Sequence, residues 1–235
     1  MLYVSKQADG EPEIFHSVQG EGISAGTPAV FLRLAFCNLR CSWCDTKYTW
    51  DWEHHNKERE VIGMSVQEIV ERLSVPGCRR LVVTGGEPLI QQKALIELLA
   101  ALKGKGFYIE IETNGTIVPD GDLICLIDQW NVSPKLENSG NPLHLREIAE
   151  VYGFFTNLSS SYFKYVIQAE YDLSEVHDLI DKYNISRERV ILMPEATNEQ
   201  TLIERGRWLA EVCKEEGYRF STRLQVLLWR NKRGT

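Results

Sequence analysis

The chain has no long apolar run, no surplus of positive charge and no internal repeat, and each lack excludes something. Its most apolar long stretch, Ala94 to Leu102, is interrupted by Glu97 and is too short to span a bilayer. Met1 to Gly10 lacks the apolar core of a secretory signal. A net charge of −7 and a pI near 5.4 argue against a general binder of nucleic acid or anionic membrane, because neutralising phosphates takes a basic face. The one basic cluster, Arg230, Lys232 and Arg233, reads as a solvated tail. There is no Ser–His–Asp signature that demands a side-chain nucleophile, so no side chain is assigned a catalytic role of that kind. Nor does any linker or low-complexity segment divide residues 1–235, which predicts one domain. A cytoplasmic protein in a reducing compartment is expected, with no membrane and no nucleic-acid partner.

What is present is concentrated in one stretch. Cys37-Asn38-Leu39-Arg40-Cys41-Ser42-Trp43-Cys44 puts three of the six cysteines in a C-x3-C-x2-C spacing. Disulfide frameworks belong to small secreted domains, so a metal site is the better reading. Soft thiolates suit zinc or an iron–sulfur cluster. Zinc needs a fourth ligand, which His54 or His55 could supply, whereas a 4Fe–4S cluster held by three cysteines leaves one iron open. The spacing favours the open cluster and leaves zinc and unliganded thiols standing. Cys78, Cys125 and Cys213 read as small buried side chains.

Apolar runs alternate with amphipathic stretches along the rest of the chain. Strands are expected at Pro28 to Phe36, Leu81 to Thr84, Phe107 to Glu112, Gln129 to Val132, Tyr162 to Gln168, Val190 to Met193 and Arg223 to Trp229. Between them, Ser65-Val66-Gln67-Glu68 is a capping box that opens a helix. Pro88 begins a helix running to about Lys103, Pro142 to Tyr152 is helical, Asp172-Leu173-Ser174-Glu175 caps a helix to Tyr183, and Asn198 to Glu216 ends at Gly217. His54 to Glu60 reads as a solvated loop. Alternating strands and helices imply a parallel sheet, and about six units are too few to close an eightfold barrel. The expected fold is α/β, an open, partial (β/α)6-type barrel.

In such folds function gathers at the carboxyl ends of the strands. Those ends carry the cysteine loop, Thr84-Gly85-Gly86-Glu87-Pro88, Glu112-Thr113-Asn114-Gly115-Thr116, Ser133-Pro134-Lys135 and Met193-Pro194-Glu195. The Gly-Gly-Glu turn offers backbone groups and a carboxylate to a ligand's ammonium group, or else it is a tight strand-to-helix turn. Arg33 sits in an apolar strand, where a charge is costly unless paired. It suits a bidentate carboxylate; a solvent-facing position or an ion pair with Glu21 are the bland alternatives.

The three-cysteine loop followed by the Gly-Gly-Glu-Pro turn resembles the radical S-adenosylmethionine enzymes. Phe15-His16-Ser17-Val18-Gln19-Gly20-Glu21-Gly22, Phe31 to Cys37, Trp43-Cys44-Asp45-Thr46, Glu112 to Thr116, Val132 to Lys135 and Arg223 to Trp229 narrow the resemblance to the 7-carboxy-7-deazaguanine synthase family. The resemblance implies a lyase of queuosine and 7-deazapurine biosynthesis. Such a lyase converts 6-carboxy-5,6,7,8-tetrahydropterin to 7-carboxy-7-deazaguanine with loss of ammonia, by a radical ring contraction. It implies a 4Fe–4S cluster on Cys37, Cys41 and Cys44, and Mg2+ at Thr46. S-adenosyl-L-methionine would meet Gly86, Glu112, Asn114, Ser133, Pro134 and Lys135, with Met193 to Ala196 a less typical later segment. Val18, Gln19, Gly20, Arg33 and Thr84 would meet the pterin, and Glu21 its aminopyrimidine. An electron donor such as flavodoxin or ferredoxin, and a homodimer, are implied as well.

Three rivals remain open at this point. A radical activase acting on a partner protein would share the loop, but Gln19-Gly20-Glu21-Gly22 and Arg33 argue for a small carboxylated substrate. An iron–sulfur electron carrier normally spends four ligands per cluster and has no use for a Gly-Gly-Glu seat. A zinc-stabilised binding module is the third.

Overall fold

The computed structural model describes residues 1–230 and 232–235. In chain order the strands are β1 (Leu2–Ser5), β2 (Ile14–Val18), β3 (Pro28–Leu34), β4 (Val61–Met64), β5 (Arg80–Gly85), β6 (Tyr108–Thr113), β7 (Gln129–Val132), β8 (Ser161–Ile167), β9 (Val190–Pro194) and β10 (Arg219–Phe220). The helices are α1 (Lys57–Glu60), α2 (Val66–Leu73), α3 (Gln92–Lys103), α4 (Gly121–Ile124), α5 (Leu143–Arg146), α6 (Ala149–Asn157), α7 (Tyr171–Tyr183), α8 (Glu199–Glu216) and α9 (Leu224–Trp229). Strands β3, β5, β6, β7, β8, β9 and β10 run parallel in that order, and β1 and β4 extend the sheet antiparallel beyond β3. β2 pairs antiparallel with β3 off this path. The sheet is open, with β10 and β4 at its two edges among the described residues. The expected open α/β barrel is therefore the fold, with an antiparallel extension added.

The strands have a period of two, and it decides what each face carries. Leu32, Leu34, Leu81, Val83, Ile109, Ile111, Trp130, Phe163, Tyr165 and Leu192 are buried in the main core. The alternate positions Phe31, Arg33, Val82, Thr84, Glu112, Lys164, Val166 and Met193 line a cavity on the other face. Burying each large apolar side chain of the first set contributes about 1.5–3 kcal/mol. The polar members of the second set, Arg33, Thr84, Glu112 and Lys164, are a cost the fold accepts for a site. No helix among the described residues is long and apolar enough to cross a membrane.

Several expectations need correcting. Arg223 to Trp229 is not a strand: β10 is only two residues long, and Leu224–Trp229 is helical, ended by Arg230 in the left-handed conformation at φ 54°. Val226 is fully buried against Ala196 and Leu202, and the backbone N–H of Leu224 donates to Gly20 O at 3.0 Å. Docking, not local pattern, sets this conformation. Pro142 to Tyr152 is broken into α5 and α6, with extended backbone at Glu147 and Ile148. His54 to Glu60 is not all loop. Asn56 accepts from the N–H groups of Glu58 and Arg59 and starts α1, which leads into β4. Cys78 and Cys213 are buried as expected, but Cys125 is exposed. Of the basic tail, Arg233 turns inward, its guanidinium 3.4 Å from the Tyr48 ring centroid. Asn231 lies outside the described residues.

Candidate active site

β3 ends by delivering Phe36, at φ 74°, into the cysteine loop. A positive φ is uncommon for a bulky residue and marks a backbone re-aimed for a purpose. The loop is tied down from across the site. Ser42 N–H donates to Ser139 O at 2.9 Å, Arg40 N–H to Asn141 Oδ1 at 2.8 Å and Trp43 Nε1–H to Asn138 Oδ1 at 3.1 Å. The Gly-Gly pair of the next strand end packs on the same backbone. A Cβ at Gly85, whose φ is 128°, would lie 2.1 Å from Leu34 O, and one at Gly86 would lie 1.9 Å from Phe36 O. Only glycine permits this approach.

Each cysteine sulfur has a donor beside it. Leu39 N–H reaches Cys37 Sγ at 3.4 Å, Asn141 Nδ2 reaches Cys41 Sγ at 3.2 Å and Trp50 Nε1–H reaches Cys44 Sγ at 3.4 Å. Burial pushes the Cys37 thiol up to about 12 and raises Cys41 as well. Thiolates at these positions need a metal's positive charge to balance them.

All three sulfurs border one large cavity at the carboxyl ends of the strands. Thr46 also borders it, its hydroxyl 3.6 Å from Cys44 Sγ. Of the positions expected to meet substrate, Val18, Gln19, Gly20, Arg33 and Thr84 are all on the wall. Of those expected to meet cofactor, Gly86, Glu112, Asn114, Ser133 and Lys135 are on it and Pro134 is not. Lys135 Nζ donates to Ser133 O at 2.7 Å and stands 5.7 Å from the Trp43 ring centroid. Met193 and Glu195 reach the wall too, and Glu195 pairs with Arg205.

Two sets of alternatives left open by the sequence are decided by the contacts of Glu87 and Arg33. Glu87 is no ligand seat: it is fully buried, off the wall, and accepts from Leu89 N–H at 3.0 Å, Thr113 Oγ1–H at 2.8 Å and Asn114 N–H at 2.6 Å. It clamps the end of β5 to the end of β6. Arg33 does not pair with Glu21; its Nε donates to Glu13 Oε1 at 2.9 Å. Glu21 instead accepts from Lys164 at 2.7 Å, Arg223 Nε at 3.1 Å and Gln225 Nε2 at 2.7 Å. Lys164 also holds Glu112 at 2.9 Å, and Arg223 reaches on to Asp45. Burial alone would raise the Glu21 carboxyl, but Lys164 and Arg223 overcome it and hold Glu21 well below the usual carboxylate range.

Known proteins resemble this chain in sequence and in architecture. Residues 32–130 match the Radical SAM superfamily model. The chain is 41% identical over 226 residues to the 7-carboxy-7-deazaguanine synthase of Pyrobaculum aerophilum, covering 94% of this chain and 95% of that one. It is 35% identical over 239 residues to the enzyme of that name from Halobacterium salinarum, covering 92% and 89%. The chain belongs to the 7-carboxy-7-deazaguanine synthase family. The crystal structure of QueE from Escherichia coli superposes with a TM-score of 0.68 at 25% identity, covering 94% of this chain and 93% of that one.

Membership of a radical S-adenosylmethionine family implies a 4Fe–4S cluster and S-adenosylmethionine, and the donor set fits them. The cavity wall offers three thiols and neither His54 nor His55, and its carboxylates, Glu21, Asp45, Glu112 and Glu195, are each held by a basic side chain rather than left to close a zinc site. No three His, Cys, Asp or Glu donors among the described residues converge on a single ion. Three thiols on one wall, Cys37, Cys41 and Cys44, would suit a 4Fe–4S cluster. Their N–H partners are the contacts that tune a cluster's potential.

Sequence reasoning missed Lys164, Arg223 and Gln225 as wall residues. The argument applied to Arg33, a charge inside an apolar strand, holds equally for Lys164 in Tyr162 to Gln168 and would have found it. Arg223 and Gln225 stand at the head of the stretch that reads as a final strand, where a polar residue is ordinary, and only the turn of α9 brings them to the wall.

Proposed function

We propose that this protein converts 6-carboxy-5,6,7,8-tetrahydropterin to 7-carboxy-7-deazaguanine with loss of ammonia, as a lyase in queuosine or 7-deazapurine biosynthesis. The observation that carries the reading is Arg33. Its Nε is taken by Glu13, while its Nη atoms have no partner among the described residues and its side chain walls the cavity that holds the cysteine loop. A guanidinium with one free edge suits a substrate carboxylate.

When bound, the cluster and S-adenosylmethionine supply a 5′-deoxyadenosyl radical. The chain's own residues bind, orient and exclude water. Cys37, Cys41 and Cys44 would hold the cluster, and Thr46 would give an oxygen to Mg2+. Gly86, Ser133, Lys135, Glu112 and Asn114 would receive S-adenosylmethionine, with Pro134 acting through the turn it shapes. Val18, Gln19, Gly20 and Thr84 would frame the pterin ring beside Arg33. Lys164 and Arg223, each balanced by carboxylates, fix Glu21 and Glu112, which would face the pterin ring and the nucleoside. The whole chain would act as one domain in the cytoplasm, as a homodimer reduced by a flavodoxin or ferredoxin.

The test is an anaerobic assay of reconstituted protein with the carboxylated tetrahydropterin, S-adenosylmethionine, Mg2+ and a reductant. A product lighter by one ammonia, without stoichiometric loss of S-adenosylmethionine, is expected. Release of 5′-deoxyadenosine with the pterin intact would overturn the substrate assignment.

A further inference from the structure

Glu13 belongs to no motif and does not wall the cavity, yet it is among the most constrained carboxylates in the molecule. It precedes β2 and is fully buried. Its backbone is fixed on both sides, Glu13 N–H donating to Ser5 O at 2.6 Å and Glu13 O accepting from Arg33 N–H at 3.1 Å. Its side chain accepts from Arg33 Nε at 2.9 Å and from the Tyr48 hydroxyl, which stands 3.0 Å from both oxygens. Arg233 Nε lies 3.4 Å from Glu13 Oε2, and its Nη2 donates to Glu60 at 2.9 Å. The Arg233 guanidinium lies over the Tyr48 ring at 3.4 Å from the centroid. Residues far apart in sequence thus converge on one carboxylate beside the cavity.

We propose that Glu13, braced by Tyr48 and Arg233, is the positioning group that aims Arg33 at the substrate carboxylate. The inference rests on the reading of Arg33 given above and deepens it. A guanidinium offers donors along two edges. Glu13 takes Nε, so the Nη edge is left for an incoming carboxylate and the planar group is held from swinging. Charge alone does not explain the arrangement: Glu13 and Glu60 balance Arg33 and Arg233, so the cluster gains no net attraction for an anion. What it gains is a fixed direction. Bidentate recognition depends on direction, and an arginine that must be ordered on binding forfeits side-chain entropy. Tyr48 prevents Glu13 from rotating by engaging both its oxygens, and Arg233 holds Tyr48 in turn.

The test compares ligands that differ only in the group Arg33 is said to meet. Binding of oxidised 6-carboxypterin and of 6-methylpterin is measured by quenching of tryptophan fluorescence in the reconstituted protein, since Trp43 and Trp50 line the cavity. Glu13→Gln and Arg233→Met are each expected to weaken 6-carboxypterin about tenfold, the lower end of what loss of a supporting contact usually costs. Both leave 6-methylpterin unchanged. In turnover, KM for the carboxylated substrate rises by the same factor while kcat and the affinity for S-adenosylmethionine hold. Glu13→Ala extends the series if it folds; iron content and circular dichroism report that, and the other two variants decide the matter if it does not. Equal binding of 6-carboxypterin by the wild type and by both variants would overturn the inference. An Arg33→Met control separates the two claims. If it loses the preference for the carboxylated ligand while the Glu13 and Arg233 variants keep it, Arg33 is the anchor and needs no brace. If it too keeps the preference, the assignment of Arg33 itself falls.

Discussion

A carboxylate in a Gly-Gly-Glu turn has two physical uses, and Glu87 is put to the second. It has three donors and no solvent, so it joins the cysteine-bearing side of the barrel to the end of β6 where Asn114 stands. Burial raises its pKa, and the Asn114, Leu89 and Thr113 donors pull the other way. Glu87→Gln keeps the shape but turns an amide N–H₂ toward a donor that had an acceptor. The expected cost is about 2–3 kcal/mol of stability from an unsatisfied buried donor. Thermal melts check it, alongside the affinity for S-adenosylmethionine in the folded fraction. A variant as stable as the wild type but blind to S-adenosylmethionine would restore Glu87 to the ligand shell.

Among elements, α9 matters most to the site and was least visible beforehand. Six of the parallel strands are legible because each carries apolar residues, as a run or in alternation with polar ones, and is bounded by turn residues. The sheet's antiparallel margin is not, although β1 and β4 are no shorter than β7; β4 carries a glycine inside it, which weakens a strand signal. Leu224–Trp229 has apolar residues at five of six positions, so neither a period of two nor one of 3.6 stands out. Its conformation is decided by Gly20, against which Gln225 packs so closely that a Cβ there would meet its side chain at 1.9 Å. Contacts such as Glu21 with Lys164 or Gln225 join residues more than a hundred positions apart, and spacing carries no trace of them. The site was half legible for the same reason: motifs at strand ends could be read, and the side chains that hold them could not. If docking holds α9, Val226→Ala should weaken it by about 2 kcal/mol, the loss of two buried carbons and the gap they leave. Amide exchange over Leu224–Trp229 should then accelerate by about thirtyfold while β6 to β8 stay protected. Unchanged exchange would mean that Arg223 and its polar contacts hold the helix alone.

At the scale of the whole molecule, charges from both ends of the chain meet across the cavity, so stability and pH are linked through them. Asp45, Arg223, Glu21, Lys164 and Glu112 alternate in sign from the cysteine loop to β6. Glu112 is raised by burial, with Lys164 pulling the other way, so its ionisation disfavours the folded state. Glu21 behaves oppositely. Its folded-state carboxyl is held well below the ordinary value of 4.5, against the effect of burial, by Lys164 and Arg223. The unfolded chain therefore takes up a proton at Glu21 near 4.5, before the folded chain does. The stability this group contributes is complete above that value and is lost as pH falls toward the folded-state pKa. Removing the carboxylate removes the dependence. Glu21→Gln should melt below the wild type at pH 7, by several degrees, because it leaves Lys164 and Arg223 short of a partner. The gap between the two proteins should narrow at pH 4 and narrow further below it. Melting both proteins side by side at each pH cancels the acid sensitivity of the cluster, which they share. A gap that stayed constant from pH 7 to pH 3 would mean that Glu21 is not held ionised by its two cations, and that the network owes its order to packing around it.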